Sequence, residues 1–349
     1  MKHVEGSASA HVVADSIYKR SRLVSVEVEF PRPYLAEFNT HRIFSRNSAS
    51  SRAIPVWKRI AMCLERPYVP ASFGKNQGRM QTGAALGVAD QSNTATNWLI
   101  GRDIAVIQAY CLTGGRPQII AAAKNSPIAT ALCDQVEDVL MKEYPDIGRK
   151  LVTLEEASHK QHANRPLELY SFHTVIVTSS TWRNFMGLRV SKMAQPEAQD
   201  FGIAISRAIM NSKPEELELG EWHLPYIRQD DRDEVKDWMK LVRISCGRCA
   251  RTSYLTQDGI RSHEEDLRLT DKLQTDGHMS PIEHPGTPNQ YMSRHLAGNF
   301  SSRWIQYRQT LPNEHDFLKN VKPEDLLIGC RNDNALAEFI AKYEEPEEI

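Results

Sequence analysis

The sequence predicts a mixed α/β protein, on three observations. Residues 22–30, RLVSVEVEF, alternate with period two. That places Val24, Val26, Val28 and Phe30 on one face and Ser25, Glu27 and Glu29 on the other, the pattern of a half-buried strand. FHTVIVTSS at 172–180 is a second strand, apolar and β-branched. Elsewhere apolar residues recur at helical spacing, as with Phe201, Ile205 and Ile209. A chain of 349 residues, 41% hydrophobic and 25% charged, is long and apolar enough for a sizeable core divided over two domains.

After the first strand, PRPY turns the chain, and Pro33 opens a helix that carries Leu35 and Phe38 inward. A polar stretch, THRIFSRNSASSR (40–52), closes it. Residues 71–95, rich in Gly, Asn, Gln and Ser, read as a long loop. Helices are expected near 97–112, 127–143 and 151–165. Behind the second strand Thr181 is placed to cap a helix over TWRNFMGLRV, and Pro196 and Glu197 start another. The charged run RQDDRDEVKDW marks the best boundary, dividing the chain into 1–228 and 229–349. A helix around 263–275 leads into DGHMSPIEHPGTP, where Ser280 is placed to cap a helix beginning at Pro281. RWIQYR, within 298–312, reads as an exposed amphipathic helix, and the tail YEEPEEI as solvated.

Composition excludes several classes. A net charge of −1 argues against a protein that coats nucleic acid through bulk electrostatics. No run approaches the ~18 apolar residues of a membrane span, and the first twenty residues lack the apolar segment of a secretion signal. Six cysteines in a chain too large to need staples read as the reduced thiols of a cytoplasmic protein. CGRC (246–249) is a single CxxC with no second pair to complete a zinc site, so Cys246 and Cys249 read as structural. Neither GxGxxG after a strand nor GxxxxGK[ST] occurs.

Three stretches carry candidate chemistry. In 40–52, Arg42, Arg46 and Arg52 are interleaved with Ser45, Asn47, Ser50 and Ser51. Planar guanidinium forks beside neutral donors suit a nucleotide phosphate, although a solvated loop whose serines cap turns has the same composition. GHMSPIEH (277–284) gathers His278, Ser280, Glu283 and His284 around a proline. Its spacing matches neither HExxH nor another zinc pattern, and no metal is expected. In NFMGLR (184–189), Asn184, Phe185 and Arg189 fall about one helical turn apart and so can share a face.

Together these stretches resemble the flavin-dependent thymidylate synthases. That family's signature is Arg-His-Arg followed by Ser, Asn, Ser and Arg at fixed offsets; His41, Arg42, Ser45, Asn47, Ser50 and Arg52 match it. GHMSPIEH is similar to the family's GHxTPFEH and NFMGLR to its NFLxLR. CARTSYLTQDG (249–259) is similar to its AARVSF segment, with Ser253 in the serine position. The order differs, because GHxTPFEH usually precedes the signature and here comes last. The chain therefore resembles a circular permutation, which compact folds with neighbouring termini tolerate, and looks like the larger permuted members of bacteriophages. Thr40 stands where the family has its first arginine, and Glu37 where it has a glutamine against the nucleotide. The family's phosphate-binding arginine falls near KQHANR, at Asn164 or Arg165. The resemblance covers most of 22–225 and 240–290 and is close only inside the motifs.

The resemblance implies an α+β fold of the thymidylate synthase-complementing kind, with helices flanking a mostly antiparallel sheet. It implies FAD-dependent transfer of a one-carbon unit from methylenetetrahydrofolate to C5 of dUMP, giving dTMP, with NADPH as reductant. Arg189 would be catalytic, a guanidinium stabilising negative charge on the pyrimidine ring. Ser50, Arg52, Glu37 and Arg165 would bind the nucleotide. His41, Arg42, Ser45, Asn47, Asn184, Ser253, His278, Ser280 and Glu283 would bind the flavin. Arg303, Gln306 and Arg308 would stand in for the family arginine whose place Thr40 takes. A homotetramer in the cytoplasm of a bacterial host follows from the same resemblance. Three alternatives stand beside it. A hydroxymethylase or methylase acting on dUMP or dCMP is suggested by Glu37, since a carboxylate can accept from cytosine's amine. A non-catalytic nucleotide-binding relative is suggested by Thr40, and a zinc protein by Cys246, Cys249, His278 and His284.

Overall fold

The computed structural model describes residues 2–78, 83–146, 157–252, 262–312 and 334–342. Strands β1 (His3–Glu5), β2 (Ala8–Tyr18) and β3 (Ser21–Pro31) are followed by β4 (Ser45–Ser48) and β5 (Phe172–Ser179). They pair antiparallel in the order β1-β2-β3-β5-β4, and the two-residue β6 (Glu215–Glu216) adds a parallel pairing to β2. Lys19 and Arg20, at φ 41° and 68°, make the β2–β3 turn. Two positive φ angles in a two-residue loop give the twist that antiparallel strands need. A short second sheet joins β7 (Gly286–Pro288) to β8 (Trp304–Gln306). The protein is thus a mixed α and β structure built on a mostly antiparallel sheet, as expected.

One face of the sheet is apolar. Val24, Val26, Val28 and Phe30 are fully buried there with Phe38, Phe185 and Phe201. Phe38 comes from α1 (Leu35–Asn39), which the turn at 32–34 delivers as the proline pattern predicts. The main cover is a long helix, Pro196–Met210, whose Phe201, Ile205 and Ile209 point into this core. Each such side chain contributes about 1.5–3 kcal/mol by leaving water.

Residues 49–171 leave the sheet between β4 and β5 and build a helical layer with its own core. It contains α2 (Val56–Glu65), α3 (Val88–Leu112), α4 (Arg116–Ala122) and α5 (Pro127–Glu143), packed through Ile60, Cys63, Val106, Cys133 and Val136. The expected loop at 71–95 is half wrong, because α3 begins at Val88. The Thr94 and Thr96 hydroxyls donate to the carbonyls of Asp90 and Ser92 one turn back, so a polar run that looks like a loop is held in helix. Gln91 ties that first turn to Phe73 at both its N–H and its carbonyl. Of the helix expected at 151–165, residues 151–156 lie outside the described residues, and the rest forms only α6 (Lys160–Ala163) before a tight turn at Pro166–Tyr170.

After β5, α7 (Arg183–Arg189) and α8 (Pro196–Met210) follow. Thr181 does not cap α7: its N–H is instead bonded by Ser179 Oγ at 3.0 Å, which ends the strand. The charged run at 228–238 folds as α9 (Gln229–Glu234) and is pinned by Asp231 to the buried Arg248 at 2.5 Å. Arg248 sits on α10 (Trp238–Arg251), inside CGRC, and also reaches Asp266 on α11 (His263–Thr275) at 3.1 Å. A Cβ on Gly247 would collide with the Asp266 carbonyl, so this glycine sets how closely α10 and α11 approach. Cys246 and Cys249 are both fully buried, and burial pushes both thiols up from their ordinary value. Ser280–Glu283 is a single 3-10 turn with no side-chain cap, so Ser280 does not play the capping role expected of it. The expected amphipathic helix within 298–312 is also overturned: Trp304 and Gln306 are buried in β8, and a 3-10 turn follows. Alternating burial in a three-residue strand is too short a pattern to declare its period. Helix α12 (Asn334–Lys342) is the last element among the described residues, and the tail 343–349 lies outside them. No described helix is long and apolar enough to cross a membrane.

Candidate functional site

Strand β4 is the middle of the polar stretch, and its alternation sorts the side chains. Ser45 and Asn47 face the buried side; Arg46 and Ser48 face the other way. Ser45 is fully buried and receives hydrogen bonds from Gln306 Nε2 at 2.8 Å and Asn299 Nδ2 at 3.3 Å. Asn47 Nδ2 donates to the Cys249 carbonyl at 2.7 Å, and its Oδ1 accepts from Ser280 Oγ at 3.3 Å. Segments more than two hundred residues apart in sequence thus meet at one amide.

Past β4 the chain turns at 50–54 and opens onto two clefts that share Ser50 and Arg52 as a common wall. The larger, about 430 Å³, is lined by Asn47, Ser50, Arg52, His159, Lys160, His278 and Ser280, with Ala53, Ala250, Leu273 and Pro281 as its apolar part. Among the described residues, no carboxylate lines it. The smaller, about 240 Å³, has Arg32, Arg52, Arg165 and His173 around Ser48–Ser51. Here the charges are already met: Glu168 pairs with Arg32 at 3.1 Å and Arg165 at 3.2 Å and accepts from the Ser51 hydroxyl. Burial alone would raise the Glu168 carboxyl, but Ser51 and Arg32 together hold it below its ordinary value. Asn164, the alternative to Arg165 for a phosphate, is fully buried and donates to the carbonyls of Ser51 and Ile54. It shapes the turn that presents Ser50 and Arg52.

A second group of expected residues gathers elsewhere on the sheet. Arg189 Nε donates to His41 Nε2 at 2.9 Å, and its Nη2 to the Glu37 carbonyl at 2.7 Å and Thr40 Oγ1 at 2.8 Å. His41 is wedged between Phe44 and Phe185, with ring centroids 5.5 and 5.0 Å away. Burial first, then the charges of Arg189 and Arg46, push the imidazole down to about 4, which keeps it a neutral acceptor for Arg189. Gly202 on α8 lets α7 close in, since a Cβ there would sit 2.8 Å from that of Arg189. Thr40 is therefore the acceptor that seats Arg189, a place another arginine would contest. Glu37 Oε2 is buried with no hydrogen-bond partner among the described residues.

Glu37, His41, Arg42, Asn184 and Arg189 line neither cleft. Arg42 and Asn184 are exposed, while Phe185 faces the core, so Asn184 and Phe185 do not share a face. Glu283 sits under the β7–β8 sheet, where Arg308 Nη1 pairs with its carboxylate and Gln306 Nε2 with its carbonyl at 2.9 Å. Gln306 and Arg308 thus serve Ser45 and Glu283, not the neighbourhood of Thr40. Ser253 lies outside the described residues. His278 stands at the mouth of the larger cleft, whereas His284 is fully buried against Thr178 Oγ1 at 2.8 Å. Sequence reasoning missed His159, Lys160, Arg32, His173 and Glu168. The basic run HKQH at 159–162 is the signal for the first two, hidden when that stretch is read as one long helix.

No family model matches the chain, and no curated protein matches it.

Proposed function

We infer that the chain is a flavin-dependent thymidylate synthase, transferring a one-carbon unit from methylenetetrahydrofolate to C5 of dUMP. The observation that carries this reading is the meeting of Asn47 and Ser280 on one cleft wall. These are positions of two family-like motifs from opposite halves of the chain. Juxtaposition across so long a separation is what a permuted member of the family requires. The larger cleft, basic and lined by no described carboxylate, fits the phosphates of FAD, with His278, Ser280 and Asn47 beside them. Bound there, the flavin would supply reducing equivalents drawn from NADPH.

On this reading the smaller cleft takes the nucleotide phosphate, with Arg52 and Ser50 donating and Arg165 released from Glu168. Arg189 stabilises the negative charge that builds on the pyrimidine ring without moving a proton, its guanidinium oriented by the Glu37 carbonyl, Thr40 and His41. Because Arg189 lines neither cleft, we assign it to the site of a neighbouring copy in a homo-oligomer.

An absorbance spectrum of the purified protein near ~450 nm, followed by titration with dUMP and dCMP, tests the cofactor and the base together. A colourless protein that takes up no FAD would end the reading. Replacing Arg189 by Ala should cut turnover by about 10²–10³ while leaving FAD bound. Mixing the separately inactive Arg189→Ala and Arg52→Ala chains should restore partial activity; none on mixing would sink the shared site. The unpartnered Glu37 Oε2 favours a second reading, in which the base is cytosine. A spectral response to dCMP and none to dUMP would select it.

A further inference from the structure

We propose that Lys160 and His159, which no motif marks, form with Arg52 the anion clamp of the larger cleft and hold the diphosphate of its ligand. The contrast between the two clefts leads there. In the smaller cleft Arg32 and Arg165 are paired to Glu168. In the larger one, among the described residues, no carboxylate lies within ion-pair distance of Lys160 or Arg52, and none lines the walls. Two cations and two imidazoles around about 430 Å³ make a focused positive field that a phosphate-bearing ligand neutralises.

The clamp is held in place. Lys160 Nζ donates to the Ala53 carbonyl at 3.1 Å, which anchors the ammonium at the cleft wall and leaves two of its three donors for a ligand. His159 Nδ1 accepts from the Gln161 N–H at 3.3 Å at the start of α6, which orients the ring and leaves Nε2 outward. Asn164, four residues on, fixes the 51–54 turn through two carbonyls, so Arg52, Ala53 and Lys160 are parts of one packed unit. Naming the ligand as a dinucleotide cofactor rests on the proposed function; the affinity for a diphosphate does not.

The test titrates the full-length protein with FAD and, separately, with inorganic pyrophosphate, by calorimetry. Lys160→Gln and His159→Gln should each weaken both ligands about tenfold, the worth of one charge-assisted hydrogen bond. Lys160→Arg should retain most of the affinity, and Lys142→Gln, on an exposed helix of the same layer, all of it. Circular dichroism confirms that each variant is folded. If both glutamine variants bind as the parent does, the clamp is wrong while the proposed function stands. If pyrophosphate binds and requires Lys160 but FAD does not bind, the clamp stands and the proposed function falls. A parent protein that binds neither ligand overturns both.

Discussion

The two faces of the central sheet solve the same packing problem with opposite chemistry. Against α8, Phe30, Phe38, Phe185 and Phe201 interlock with ring centroids 5.0 to 6.2 Å apart. The other face is just as dry but polar. Ser16 meets His223 Nδ1 at 2.9 Å, His223 Nε2 meets Ser25 at 2.8 Å, and Ser25 meets Thr178 at 2.5 Å. Thr178 then meets His284 Nδ1 at 2.8 Å, ending a relay across three strands. An apolar face tolerates small shifts, whereas a buried polar chain is stable only while each member keeps its partner. The clefts border the polar face, where β4 and the 278–284 segment join.

The largest effect is expected on the apolar side. Phe201→Ala should cost about 3–5 kcal/mol in urea unfolding, since the fully buried ring leaves a cavity among three other phenylalanines. A cost below about 1 kcal/mol would mean the face is loosely packed. Acid should strike the polar side next. Burial pushes His223 and His284 down to about 3, the neighbouring His284 adding to the effect on His223. In the unfolded chain both titrate near ~6.5. Between those values the unfolded state binds more protons, so stability is complete above the higher pH and declines as pH falls toward the lower. The slope is about 1.4 kcal/mol per pH unit for each histidine. Urea midpoints that agree at about pH 7 and about pH 5 would show that these rings are not buried neutral. The smallest effect, about 1–3 kcal/mol, belongs to Ser25→Ala, which strands His223 Nε2 and Thr178. If Ser25→Ala is silent, the relay is decoration and the contrast between the faces collapses.

The apolar face was legible because its signal is local. Val24 to Phe30 alternate within seven residues, and Pro196 with Phe201, Ile205 and Ile209 declares α8 within fifteen. The same alternation misled on the opposite side. Ser25 reads as solvated, yet it is fully buried because His223, from 198 residues away, supplies its partner. The candidate site divides in the same way. Arg52, Ser50, Asn47, His278 and Ser280 could be found from motifs and do share a cleft wall. Glu168, which pre-empts Arg165, and Lys160, which completes the larger cleft, belong to no pattern short enough to read.

Residues Ser48 and Val175 face each other across the β4–β5 ladder, yet the whole helical layer, 49–171, lies between them in the chain. At equilibrium that detour matters little, because loop-closure entropy grows only with the logarithm of length. It matters in time, since pairings of high contact order form slowly. The β2–β3 hairpin and the helical layer can each form from near neighbours; β4 has to wait for both. Both clefts take Ser50 and Arg52 from the turn just beyond β4, so they come into being at the final closure. In refolding, recovery of anion binding should lag recovery of helical circular dichroism, and binding competence marks the end of folding.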